Sequence, residues 1–216
     1  MRRRWTWAAA GAATALGYRE LLRPWHQRWG ATDEEVHATL PGDDLVAEPA
    51  TQVTRGITVN ASPEQVWPWV AQLGADRGGF YSYDWLENLF GLGIHSADTV
   101  VAQWQHRAVD DLVYANATGT GGWYVVRVVP EQVLVLKLAD VANDKPARRD
   151  EGMRGEFLWT FALRDSGDGT TRLLVRERAA FGSPATRLLM APIGPISFVM
   201  TQKTMRGIKA RAEAGR

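Results

Sequence analysis

Ser62-Pro63-Glu64-Gln65-Val66-Trp67-Pro68-Trp69-Val70-Ala71-Gln72-Leu73 reads as a short helix with a well-marked start. Ser62 is an N-cap. Pro63 sits at the first helical position, where its missing N–H costs nothing, and Gln65 completes a capping box. Val66, Trp69, Val70 and Leu73 then fall three and four apart on one face. Pro68, about five residues in, predicts a bend. Upstream, residues 53–60 are strand-like. Downstream, residues 78–98 gather five aromatics, three acids and a histidine. A segment so rich in large rings walls in either a core or a pocket.

Beyond residue 108 the period changes from helical to two. Residues 123–129 alternate around Tyr124, Val126 and Val128, Pro130-Glu131-Gln132 supplies a turn, and residues 133–138 return as the second arm of a hairpin. Phe157, Trp159, Phe161 and Leu163 share one face of the next strand. Residues 165–170 are a Gly/Asp/Ser turn, and Thr171-Arg172-Leu173-Leu174-Val175-Arg176-Glu177-Arg178-Ala179-Ala180 comes back. The charged segment 140–152, with Pro146, reads as a solvent-exposed connection between the hairpins. Residues 185–214 read as a helix, apolar through Ile193, Ile196, Val199 and Met200 and basic at Lys203, Arg206, Lys209 and Arg211, which suits the negative end of its dipole. Gly194-Pro195 predicts a kink in it.

A strand, a Ser-Pro-Glu-x-Val-Trp helix, a short second helix at 83–90, a meander ending in Thr-Arg-Leu-Leu-Val-Arg and a long last helix together resemble the SRPBCC superfamily. Its members share the helix-grip fold of START, Bet v 1 and polyketide cyclase proteins. Gly-Gly-Phe-Tyr-Ser-Tyr-Asp-Trp-Leu-Glu-Asn at 78–88, with Ile-His-Ser-Ala-Asp at 94–98, is similar to an uncharacterised bacterial branch of it, as are the upstream Arg23-Pro24-Trp25-His26 and residues 28–35. The resemblance covers residues 52–214. It implies an α+β fold: a curved antiparallel sheet of six or seven strands around a long C-terminal helix, with two short helices after the first strand and a cavity between sheet and last helix. The domain is set at 52–216, with 23–51 as an extended segment packing on it.

Composition limits the function. Lys+Arg number 25 against Asp+Glu 24, a net charge of +1, so no basic surplus points to nucleic acid. The chain has no cysteine, which removes disulfides, thiolate nucleophiles and zinc-thiolate sites. No Walker loop, dinucleotide fingerprint, Gly-x-Ser-x-Gly or His-Glu-x-x-His occurs, and no cofactor is expected. Ten tryptophans are more than one core needs, and the surplus suits a pocket of flat rings.

Residues 1–22 begin with three arginines and an alanine- and glycine-rich apolar run. The run is shorter than the roughly 20 residues a spanning helix requires. A plain tail, an interfacial anchor through Trp5 and Trp7 and a cleaved signal peptide all remain open. The expected location is the cytoplasm, at the membrane if the anchor reading holds.

Several side chains are candidates for chemistry. His95, with Asp98 three residues on and Asp84 and Glu87 upstream, could form a His–carboxylate pair for general acid–base work. The simpler reading is a histidine that fixes its loop. His26, His37 and His106 lie in no ligand spacing, so no metal site is expected. Arg176 and Arg178 alternate along one strand; a pocket-facing Arg176 would hold a ligand carboxylate, and cross-strand ion pairs on the convex face are the alternative. Several of Tyr81, Tyr83, Trp85, Trp123, Tyr124, Trp159 and Phe161 are expected to line one cavity of a few hundred cubic ångströms. The expected function is binding or transport of a hydrophobic small molecule, lipid, polyketide or isoprenoid-like, by a monomer or weak dimer. The alternative is a polyketide cyclase or dehydratase-like enzyme using polar groups in the same cavity.

Overall fold

The computed structural model describes residues 17–215, so the readings placed on residues 1–16 lie outside the described residues. A π-helical turn, Tyr18–Leu22, runs into α1, Arg23–Gln27. Next comes α2, Asp33–His37, which Thr32 opens with a complete capping box to Glu35. After β1, Thr51–Val59, follow α3, Pro63–Ala71, and α4, Asp84–Leu89. Ser62 and Gln65 make the reciprocal bonds of their capping box. The strands β2 (Leu112–Tyr114), β3 (Gly122–Val129), β4 (Val133–Asp140), β5 (Lys145–Pro146), β6 (Gly155–Asp165) and β7 (Thr171–Phe181) come next. Two helices close the chain, α5, Pro184–Met190, and α6, Ile193–Ala214.

The strands form one open antiparallel sheet in the order β1-β7-β6-β4-β3-β2, with β5 attached to β4. This is the helix-grip arrangement that the resemblance implied. Phe161, Trp159, Leu173, Val175, Leu134, Leu136 and Val125 project from the inner face into the main core, where α3 and α6 meet them. From Thr201 onward α6 turns one stripe inward. Thr201, Thr204, Met205, Ile208 and Ala212 are buried at spacings of three and four. Gly207 lets that stripe approach the loop after α3, because a Cβ there would lie 2.5 Å from the Tyr81 carbonyl oxygen.

A second core lies on the outer face. Val133, Val135, Leu158, Ala162, Leu174 and Ala180 are covered by Leu40, Leu45 and Val46 of the segment before β1. That strap is held by charge as well as by apolar contact. Arg176 uses all its N–H groups at once: Nε donates to Thr54, Nη1 to Asp43 (2.6 Å) and the Ala38 carbonyl, and Nη2 to the carbonyls of Glu35 and Val36. It thereby satisfies carbonyls that the end of α2 leaves without helical partners. Arg172 grips Glu35 with two donors, at 2.7 and 2.8 Å. Gly30, with φ +69°, brings the strap onto β1, where a Cβ would strike the Gly56 carbonyl at 2.2 Å.

Three local expectations need correction. The C-terminal helix breaks at Ala191-Pro192 instead of kinking at Gly194-Pro195, because those last two residues fall in the first turn of α6, where proline's missing N–H forfeits no helical hydrogen bond. The 140–152 connection is not wholly exposed: Lys145–Pro146 pairs with Ala139 and Asp140, and fully buried Ala147 donates to the Leu138 carbonyl at 2.7 Å. Finally, Tyr124, Val126 and Val128 do not share a face, since a bulge between Val125 and Arg127 shifts the register of β3 against β4.

Candidate functional site

The inner face carries two opposite charges where alternation calls for apolar residues. Along β1 the inward positions run Val53, Arg55, Ile57, Val59, and along β7 they run Leu173, Val175, Glu177, Ala179. Arg55 and Glu177 are both buried and pair at 2.7 Å. The Glu177 carboxylate also accepts from Ser197 Oγ (2.5 Å) and Thr201 Oγ1 (2.7 Å) on α6. Arg55 Nε donates to the His26 carbonyl at 3.1 Å, and its guanidinium stands over the Phe198 ring, 5.5 Å from the centroid. This pair joins β1, β7, α1 and α6. The added bonds from α1 and α6 offset part of the cost of holding two charges away from water.

A cavity of about 1220 Å³ opens beside the pair. Trp123, Leu138, Phe157, Val53 and Ala179 of the sheet wall it on one side, and Leu188, Leu189, Met190 and Ile193 of the α5–α6 elbow on another. Tyr18, Arg23, His26 and Gln27 close a third side. The lining is mainly apolar, and Arg55, Glu177, Ser197 and His26 supply its polar groups. His26 Nε2 and Tyr18 Oη are 3.0 Å apart, and Nδ1 is buried without a hydrogen-bond partner among the described residues. Burial, helped by the charges of Arg55 and Arg23, holds the imidazole below its ordinary value of 6.5. His26 is therefore neutral near pH 7.

The residues singled out from the sequence fall into three groups. Trp123, Trp159 and Phe161 lie together. Trp159 stacks near Phe80 and contacts Trp123 and Phe161 at centroid distances of 5.5 and 4.8 Å. Of the three, Trp123 reaches the cavity, while Phe161 is fully buried and Trp159 nearly so. Tyr81, Tyr83, Trp85, Asp84 and Asp98 line a separate cleft of about 490 Å³ with Lys203 and Arg211. There Asp84 accepts from the Ser96 N–H and hydroxyl, Asp98 pairs with Arg211 at 2.8 Å, and Arg211 lies over the Tyr81 ring. His95 is exposed, and its side chain has no hydrogen bond among the described residues. It does not form a pair with Asp84 or Asp98.

Tyr124 and Arg176 occupy the outer face. Adjacent strand residues point to opposite faces, so with Trp123 inward, Tyr124 turns out and donates to Asp144 at 2.5 Å. Arg176 is enclosed under the strap as described above. Neither reaches the cavity. Arg55, Glu177 and His26 received no role in the sequence reading, although a charge at an inward position on each of two strands was a visible signal. Among the described residues no cluster of histidines and carboxylates is placed to hold a metal ion, and no helix is long and apolar enough to cross a membrane.

No family model matches the chain, and no curated protein matches it. Among solved structures the chain is similar to protein MLL2253 from Mesorhizobium loti, at 14% identity over 77% of this chain and 99% of that one, TM-score 0.46. It is similar also to a protein from Arthrobacter aurescens (18% identity, 83% and 92% covered, TM-score 0.43). A third is norcoclaurine synthase from Thalictrum flavum in complex with dopamine and hydroxybenzaldehyde (11% identity, 83% and 96% covered, TM-score 0.42).

Proposed function

We propose that this chain binds a hydrophobic small molecule of the lipid, polyketide or isoprenoid class in the cavity between the sheet and the α5–α6 elbow. The observation that carries this reading is the combination of about 1220 Å³ of mainly apolar space with a buried Arg55–Glu177 pair at its wall. An apolar ligand body needs area, and a few fixed polar groups orient it.

Native mass spectrometry of the protein purified from its own host is the direct test, with a retained small molecule as the expected result. Parinaric acid provides a defined probe. Its binding should quench Trp123 emission and carry a negative heat-capacity change. Ala179→Phe, which puts a ring into the cavity, should weaken binding at least tenfold. No retained molecule together with no parinaric acid uptake, or uptake unaffected by Ala179→Phe, would sink the proposal.

His26 supports a second reading, the cyclase or dehydratase-like enzyme. A neutral imidazole on the cavity wall, hydrogen-bonded to Tyr18, is a general-base candidate. If His26→Asn left ligand uptake intact while abolishing turnover of a polyketide-like substrate, this reading would replace the first.

A further inference from the structure

The mouth of the cavity is bordered by apolar side chains that face solvent. On the elbow, Leu188 and Leu189 are 76% and 77% exposed and Ile196 is 60% exposed. Ile193, Ile196 and Val199 recur every three residues along the first half of α6, so they form one outward stripe, where a water-facing helix carries polar residues. Across the mouth, Leu21 is 72% exposed, with Leu22 and Trp25 beside it. The two strips adjoin, because the Trp25 ring packs edge-on against Phe198 of α6 at 5.1 Å.

The same rim is positively charged. Arg23, Arg154 and Arg187 border the cavity, and none of them has a carboxylate partner among the described residues. Glu156, an acid on that rim, faces Lys137 at 3.8 Å and Arg149 at 3.9 Å. Arg2, Arg3 and Arg4, with Trp5 and Trp7, precede the Tyr18–Leu22 turn in the sequence and extend the same composition.

We infer that this rim docks on an anionic lipid bilayer, with the elbow and the Leu21–Trp25 strip lying in the headgroup layer. Exposed aliphatic and indole side chains flanked by unpaired arginines are what such an interface selects. A second copy of the chain fits less well. A two-fold contact through this patch would set the arginines of one copy against those of the other. Docking leaves the cavity open towards the acyl chains, so an apolar ligand would pass between bilayer and cavity without crossing water. That passage rests on the ligand-binding reading above, whereas the docking does not.

The test uses the full chain and vesicles of equimolar phosphatidylcholine and phosphatidylglycerol, with phosphatidylcholine alone as comparison. Sedimentation with the anionic vesicles is expected, weakening with added salt. Leu21→Gln/Ile196→Gln, at two highly exposed positions off the cavity lining, should lower partitioning about tenfold while leaving the melting temperature unchanged. Three results would overturn the proposal: partitioning indifferent to the double substitution, loss of partitioning only on Trp5→Gln/Trp7→Gln, or light scattering that shows a dimer dissociated by Leu21→Gln/Ile196→Gln with no vesicle binding. Parinaric acid uptake separates the two proposals. Uptake retained in a variant that has lost the vesicles leaves the cavity intact, and uptake absent from a chain that still binds vesicles removes the ligand reading alone.

Discussion

At the scale of single residues, burial decides what each charge or ring contributes. Glu177 accepts three hydrogen bonds beside buried Arg55, so Glu177→Ala is expected to cost about 3–5 kcal/mol by leaving a buried guanidinium unpaired. Arg55→Met/Glu177→Leu should recover most of that loss in urea denaturation, and equal losses in the single and double variants would contradict it. Trp159 packs among Phe80, Trp123 and Phe161. Trp159→Ala is therefore expected to lower stability by about 3–5 kcal/mol. A stable variant with an altered ligand-size preference would make the ring a cavity wall instead. His26 gives the pH dependence. Its folded value lies below 6.5, so the unfolded chain takes up the proton first, and stability present above about pH 6.5 falls as pH drops through the folded value. His26→Asn should flatten thermal-unfolding midpoints in that window.

At the scale of elements, the strap before β1 is the part whose removal should matter most. It covers the outer core and neutralises Arg172 and Arg176. Arg176→Met removes the closest cation from buried Asp43, which keeps the Leu40 N–H and Arg178, and takes donors from the carbonyls at the end of α2, so about 3–5 kcal/mol of destabilisation is expected. Hydrogen exchange should then show early loss of protection in α2 and β1. Glu35 adds an acid limit. The side-chain hydrogen bond from Arg172 holds its carboxyl below 4.5, so its contribution is complete above about pH 4.5 and disappears as pH falls through the lower folded value. Glu35→Gln should weaken that part of the acid transition.

At the scale of the whole molecule, the sheet is packed on both faces, but unevenly. Beyond Thr201, α6 seals the inner face, and before it the helix lies over open space next to the elbow. A ligand that occupies this space only in the folded state is expected to stabilise the protein by about 2.7 kcal/mol at a hundred times its dissociation constant. Scanning calorimetry with parinaric acid measures that shift, and Ala179→Phe should abolish it.

Local patterning in the sequence was enough for the elements. The capping box at Ser62 located α3, and alternation located β6 and β7, because both signals depend on neighbours within a few residues. The adjacent Trp123 and Tyr124 could not both face a cavity, a constraint already present in strand geometry. The bulge after Val125 was not readable, since it exists only in the pairing of β3 with β4. Residues 78–98 were rightly conspicuous, yet their rings divide between core and a polar cleft, and the larger cavity lies beside Arg55 and Glu177. The pairing of β1 with β7, the strap over the outer face and the Arg55–Glu177 contact were settled by contacts between residues more than a hundred positions apart. Sequence alone thus determined periodicity and caps, whose causes are local, and its resemblance to a known superfamily implied the class of fold. Tertiary structure alone decided where empty space remains, because a void is a property of surfaces brought together from distant parts of the chain.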